Sequence, residues 1–408
     1  MASFFPILLV AAMPLMAQHD MSNMKDMKDM KDMPGMKMGD AKSMAMDDDM
    51  SSMTMLERHV GRWNLMFHGL AFITDSQQSG PLGGDKFYST NWFMADAAHP
   101  LGGGTFTVKT MFSLEPATIT NRQYPELFQT GETAFGKPID GGQHPHNFFM
   151  ELALRYSHPL TDKSSWSLYL APVGEPALGP VAYPHRVSAE ELPQATLGHH
   201  LQDSTHISYE VITGGIRRGM FLVEASGFHG TEPGENRWTV GYGGIDSYSA
   251  RLTVSPTRNW SGQFSGGYIT RPEALEIGNQ IRTTASVTYN RTGTRSHWAS
   301  SLIWGRVHKE LNGENLNSYL AESVYRFLTR NYVTGRIELV DKDELPVPGN
   351  YRIGAYTAGY TRDFSLFPRI LTGVGANFTT YSLPETLHTP YGRPVAVLMF
   401  LRFKLRDY

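Results

Sequence analysis

Cysteine is absent from this 408-residue chain, charge is sparse, and no apolar run is long enough to cross a bilayer as a helix. Without cysteine there is no disulfide scaffold, no Cys-ligated zinc and no thiol nucleophile, and a chain crossing an oxidising compartment needs no redox partner to fold. Charged residues make up only 18%, and a formal net charge of -3 offers no basic field for a nucleic-acid backbone, so no nucleic-acid partner is expected. The longest apolar run beyond the amino terminus, Val395 to Leu401, falls far short of the roughly 18 to 20 residues that a helical span requires. Motifs of catalysis are missing too. There is no Gly-x-Ser-x-Gly elbow, phosphate loop or His-Glu-x-x-His, and the spacing of Asp140 with His144 or Ser204 with His206 supports no esterase site. The expectation is a protein that is not an enzyme.

What is present divides the chain into three parts. Phe4 to Ala17 is nearly continuous apolar sequence of the length of a signal-peptide core, so residues 1–17 read as a secretory signal, and with no cysteine after it a lipoprotein anchor is not expected. Residues 18–58 read as a Met-, Asp- and Lys-rich tail, built on a Met-Lys-Asp repeat at Met24, Met27 and Met30; 12 of the 21 methionines fall between Gln18 and Met55. Such a stretch has too little branched or aromatic side chain to repay chain entropy, which predicts disorder when unliganded. A thioether is a soft, neutral donor that favours Cu(I) over hard cations, and several on one flexible strand can wrap an ion. His19 and nearby aspartates add a harder mode suited to Cu(II). A Met stripe docking on a partner, a sacrificial oxidant trap and a neutral linker are the other readings of the same residues.

From residue 59 onward the pattern has period two, in segments of about ten residues separated by turn residues. Trp63, Leu65, Phe67, Gly69, Ala71 and Ile73 share one face against Asn64, Met66 and His68; near the end Leu401, Phe403 and Leu405 oppose Arg402, Lys404 and Arg406. Candidate strands run over 62–73, 85–95, 104–115, 148–157, 164–172, 204–213, 218–229, 246–255, 259–270, 280–290, 296–307, 317–328, 331–340, 350–361, 369–380 and 395–405. Sixteen is an even number, with 14 to 18 as the range, and after the third strand long connections alternate with tight turns. A soluble sandwich has no reason to sort its connections in this way. The fold class is therefore all-β, a transmembrane antiparallel β-barrel over residues 59–408, placed in the outer membrane of a Gram-negative bacterium with the tail in the periplasm. Trp63, Trp166, Trp260 and Trp298 fall near segment ends, where aromatic girdles sit, whereas Trp92 falls mid-segment.

Parity also assigns a lumen. His68, Glu151, Arg155, Arg251, Arg326, Arg336 and Glu338 face inward, as do Glu210, Glu224, Arg282, Glu322, Arg402 and Lys404 and the methionines Met66 and Met111. Cross-barrel ion pairing is the plain role for the charged ones. Outside the strands, Gln143-His144-Pro145-His146-Asn147 and the pair His199-His200 bring four imidazoles to two neighbouring long connections, which makes His144, His146, His199 and His200 a candidate second metal site. Solvated loop histidines are the alternative. The stretch from Gly131 to Asn147 is also a candidate plug or constriction.

A secretory signal, the repeat Met24-Lys25-Asp26-Met27-Lys28-Asp29-Met30 and a barrel-like body closing on an aromatic residue, Tyr408, form an arrangement that resembles the copper-resistance outer-membrane proteins of the B type. The resemblance lies in architecture and tail composition and not in the barrel sequence. It implies copper binding, with sequestration or export at the outer membrane, through Met21, Met24, Met27, Met30, Met33, Met36, Met38 and His19. The partners it implies are a copper ion, as Cu(I), a periplasmic copper carrier and outer-membrane lipid, and porin-sized barrels make a homotrimer a candidate assembly. A general or substrate-specific porin with an incidental tail, and a structural envelope protein with a plugged lumen, are the competing functions.

Overall fold

The computed structural model describes residues 55–405, Glu276 excepted. The signal, most of the Met-rich tail with all eight of its proposed ligands, and Tyr408 lie outside the described residues.

Sixteen antiparallel strands close on themselves. They are β1 (Trp63–Gln78), β2 (Asp85–Leu101), β3 (Gly104–Phe112), β4 (Phe149–Thr161), β5 (Ser164–Gly174), β6 (Ser208–Arg218), β7 (Phe221–His229) and β8 (Ser247–Thr257). The second half comprises β9 (Trp260–Ile269), β10 (Gln280–Thr292), β11 (His297–Lys309), β12 (Asn315–Phe327), β13 (Asn331–Lys342), β14 (Tyr351–Phe367), β15 (Ile370–Ser382) and β16 (Val395–Leu405). Each pairs with the next, and β16 returns to β1, from Leu70 opposite Lys404 to Gln78 opposite Ala396. Closure removes the open edge that a sheet in lipid cannot leave unpaired. Where β16 stops, a short strand, Leu56–Val60, pairs with Trp63 to Phe67 of β1 and continues the same line of the wall.

All sixteen expected strands are found. The first two are longer than periodicity suggested, because polar residues at the end of β1 still alternate in and out, and β6 starts at Ser208 rather than 204, after a short helical turn, Ser204–His206. With these limits the sorting of connections is complete, since the even-numbered ones are two to four residues long and the odd-numbered ones are longer. The β2–β3 turn shows how tight they are. Gly102 and Gly103 both hold positive φ, +56° and +82°, the pair of left-handed residues that a two-residue hairpin of this twist demands.

The outer face is apolar and exposed. Leu302 (61%), Phe264 (55%) and Ile337 (51%) present bare side chains, as lipid-facing positions do. Trp63, Trp166, Trp260 and Trp298 ring the short-turn end, with Tyr289 packed between Trp260 and Trp298 at centroid distances of 4.8 and 5.2 Å. Trp92 is not part of that girdle. It points inward, buried edge-on between His68 and His185 at 4.6 Å from each. Glu210 departs from its expected inward direction. A bulge between Tyr209 and Ile212, with φ of +53° at Glu210, turns its carboxylate to accept the backbone N–H groups of Gly243 and Gly244 at 3.0 and 2.6 Å.

Candidate functional site: a filled lumen and its histidine cluster

Sixteen strands about 4.8 Å apart and tilted about 40° enclose a backbone cylinder of roughly 16 Å radius, wide enough for water. Here the β5–β6 connection, residues 175–207, turns into that cylinder and fills much of it. Its composition explains why. Ala177, Leu178, Val187, Leu192 and Leu197 are as buried as any core residue, and an exposed loop would gain nothing from them. A buried connection must satisfy its backbone polar groups, and the barrel wall supplies partners from many strands. Ala177 N donates to Ser226 Oγ at 2.7 Å, Gly179 N to Ser265 Oγ at 2.9 Å and Leu197 N to Glu338 Oε1 at 2.6 Å, while Arg336 Nη1 donates to the Ala195 carbonyl at 3.1 Å.

Two buried ion clusters lock this plug to the wall. Glu322 on β12 accepts Arg186 Nε from the plug at 2.6 Å and Arg336 Nε from β13 at 3.0 Å, and Arg186 also pairs with Asp203 at 3.1 Å. Further round the wall, on β14 and β16, Arg402 pairs with Glu191 and Asp363, and Lys404 reaches Glu190 and Glu191, each at 2.8 Å. Arg336, Glu338, Glu322, Arg402 and Lys404 lie on the inner face, each in contact with the plug. Their role is to hold a segment of the chain and not to line open water.

The β3–β4 connection, residues 113–148, packs against the plug. Gln129 bridges the two, donating to the Thr196 carbonyl at 3.1 Å and accepting Lys342 Nζ of β13 at 2.9 Å. The plug expected at Gly131 to Asn147 is thus only part of the filling, and the β5–β6 connection supplies the greater part of the buried residues.

One flank of the lumen stays wet. A cavity of about 150 Å³ is lined by Lys109, Glu151, Arg155, Arg217, Glu224 and Arg251 from the wall of β3 to β8, with Met111 and His185 also on it. It has room for several water molecules. Its charges are cross-paired: Lys109 with Glu151 at 3.3 Å and Arg251 with Glu224 at 3.0 Å. Glu151, Arg155 and Arg251 therefore lie where parity put them; His68 is packed under Trp92, and Arg326 sits opposite His297 in the β11–β12 register. Met66 is buried on the same inner face.

The four histidines singled out as a metal site do not form one set. His144 Nε2 lies 2.8 Å from Glu132 Oε1, and the ligand atoms of Glu132, His144 and His200 all fall within 4.8 Å of one another. His146 belongs elsewhere. Its Nδ1–H donates to Glu115 Oε2 at 2.9 Å and its Nε2 accepts the Tyr183 hydroxyl at 3.2 Å, which commits both nitrogens. His199 Nδ1 is held by Asp203 at 2.6 Å, and its ring stands 5.2 Å from that of His206. Burial pushes His199 down to about 4 despite Asp203, and pushes His206 well down, with His199 and His146 adding to it. Both are neutral at pH 7. Glu132, Asp203, Glu115 and Tyr183 escaped the sequence reading, and His206 was weighed only beside Ser204, because only the fold of the two connections brings them beside the Gln-His-Pro-His segment.

Two solved structures share this architecture. An anion-selective porin from Comamonas acidovorans matches over 84% of this chain and 100% of its own, at 10% identity and a TM-score of 0.53. OmpF of Salmonella typhi, in complex with daunomycin, matches over 86% and 100%, at 8% identity and a TM-score of 0.54. No family model matches the chain, and no curated protein matches it. At such identities the likeness shows the fold, that of an outer-membrane porin barrel.

Proposed function

We propose that the chain is a non-enzymatic outer-membrane channel of the restricted, substrate-specific kind, passing small hydrophilic solutes along the wet flank of a largely filled barrel. The observation that carries this reading is the plug itself, with its apolar core, wall-bonded backbone and two buried ion clusters beside a polar cavity. A general diffusion pore needs no such filling. Outer-membrane lipid is the surrounding partner, and a homotrimer is the assembly to look for. Recording single channels in planar bilayers tests it. The native chain is expected to conduct weakly, and excision of residues 177–205 with a short Gly-Ser bridge to raise conductance by on the order of tenfold, toward that of an open sixteen-strand lumen. A native protein that is silent, or an excised one that conducts no better, removes the channel reading in favour of a structural envelope role.

Copper handling stands as a proposal for residues 18–55 alone, resting on their thioether density and on the resemblance in arrangement. Neither porin structure above speaks for it. A peptide of residues 18–55 titrated with Cu(I) is expected to bind far more tightly than millimolar; millimolar or weaker binding would remove the chemical basis for copper capture and for a carrier that delivers it.

A further inference from the structure

We propose that Glu132, His144 and His200 form a site for one borderline divalent cation, with zinc as its probe, and that this ion joins the two inserted connections. The inference goes beyond the channel reading and does not depend on it, nor on the tail.

Two imidazole nitrogens and one carboxylate oxygen are the donor set that zinc and its neighbours in the first transition row prefer, whereas calcium and magnesium ask for oxygen and Cu(I) for sulfur. All three ligand atoms lie within 4.8 Å of one another. Ligands about 2.1 Å from a tetrahedral ion stand about 3.4 Å apart, so the Glu132–His144 pair, now at 2.8 Å, opens slightly to admit the ion while His200 lies within reach of both. The orienting shell is already built. His144 Nδ1 contacts the Pro145 carbonyl at 3.1 Å, which orients the ring with Nε2 at 2.8 Å from Glu132 Oε1, where the proton they share would give way to the ion. The other Glu132 oxygen is held by Arg237, which fixes the carboxylate plane and leaves Oε1 aimed at His144.

The surroundings favour positive charge at this point. Glu232 and Glu273 stand 3.8 and 3.7 Å from His200 Nδ1, too far for a hydrogen bond and close enough for strong attraction. A second cavity of about 30 Å³, bordered by Thr130, His200, Glu273 and Glu344, adjoins the cluster and has room for one water as a fourth ligand. Since Glu132 and His144 belong to the β3–β4 connection and His200 to the plug, an ion here staples the two together.

The full-length protein, stripped with chelator and folded in detergent, is titrated with zinc against a chromogenic competitor. One equivalent is expected with a sub-micromolar dissociation constant, weakened on the order of 100-fold or more by His144→Ala, His200→Ala or Glu132→Gln and unchanged by His308→Ala on the outer wall. Folding of each variant is checked by its heat-dependent migration in unboiled gels. Should the variants misfold, X-ray absorption of the zinc-loaded native chain decides, two imidazole nitrogens being expected. Failure to bind zinc at micromolar protein, equal binding by native chain and all three variants, or a first shell without imidazole would overturn the proposal.

Discussion

Replacing Glu322 with alanine is expected to cost about 3 to 5 kcal/mol of folding free energy and to release the plug from the β12–β13 wall. The carboxylate is buried between two guanidiniums, accepting Arg186 at 2.6 Å on one oxygen and Arg336 at 3.0 Å on the other, with the Ser188 hydroxyl at 2.8 Å. Arg186 and Arg336 are themselves almost fully buried. Without Glu322 two positive charges face each other in a site closed to water, and the surviving contact of Arg186 with Asp203 neutralises only one of them. An intact apolar substitute for all three groups could pack well; removal of one cannot. The readouts are the urea unfolding midpoint and limited trypsin digestion, in which the variant is cut after Arg186 while the native chain resists. An unchanged midpoint with no new cut would mean that the ion cluster does not hold the plug.

What the sequence discloses and what it hides follow from the range of the forces involved. Every strand was legible, because lipid on one side and polar contacts on the other impose alternation within each segment, as at Tyr248, Ala250 and Leu252 against Arg251. The limits of β1 and β2 were less so, since polar residues such as Ser76 and Gln78 continue inward beyond the apolar part of β1. Direction was legible for Arg336, Glu338 and Arg402, but purpose was not. Whether an inward arginine meets water or a piece of the chain depends on which connection turns in, and that is decided by contacts far apart in sequence, such as Arg402 with Glu191. Trp92 shows the same gap: a misplaced girdle residue by periodicity, it is a wall contact for His185 of the plug. For the histidines, adjacency along the chain proved a poor guide to adjacency in space. His144 and His146 are separated by a single proline, yet one faces Glu132 and His200, and the other Glu115 and Tyr183.

The central claim is that residues 175–207 lie inside the barrel, and the absence of cysteine permits a direct test. Ser188 of the plug and Ser301 of β11 are both buried, with their hydroxyl oxygens 2.6 Å apart across 113 residues of sequence. Such proximity suits a disulfide, and a loop of that length yields close to 5 kcal/mol of stabilisation in the chain-entropy account. The measurement is mass spectrometry of the oxidised Ser188→Cys/Ser301→Cys protein after proteolysis, with the reduced sample as reference. The account predicts a single peptide pair joining the β5–β6 connection to β11, and a higher unfolding temperature that reduction reverses. Two free thiols after oxidation of a correctly folded barrel would place that connection outside the lumen and contradict it.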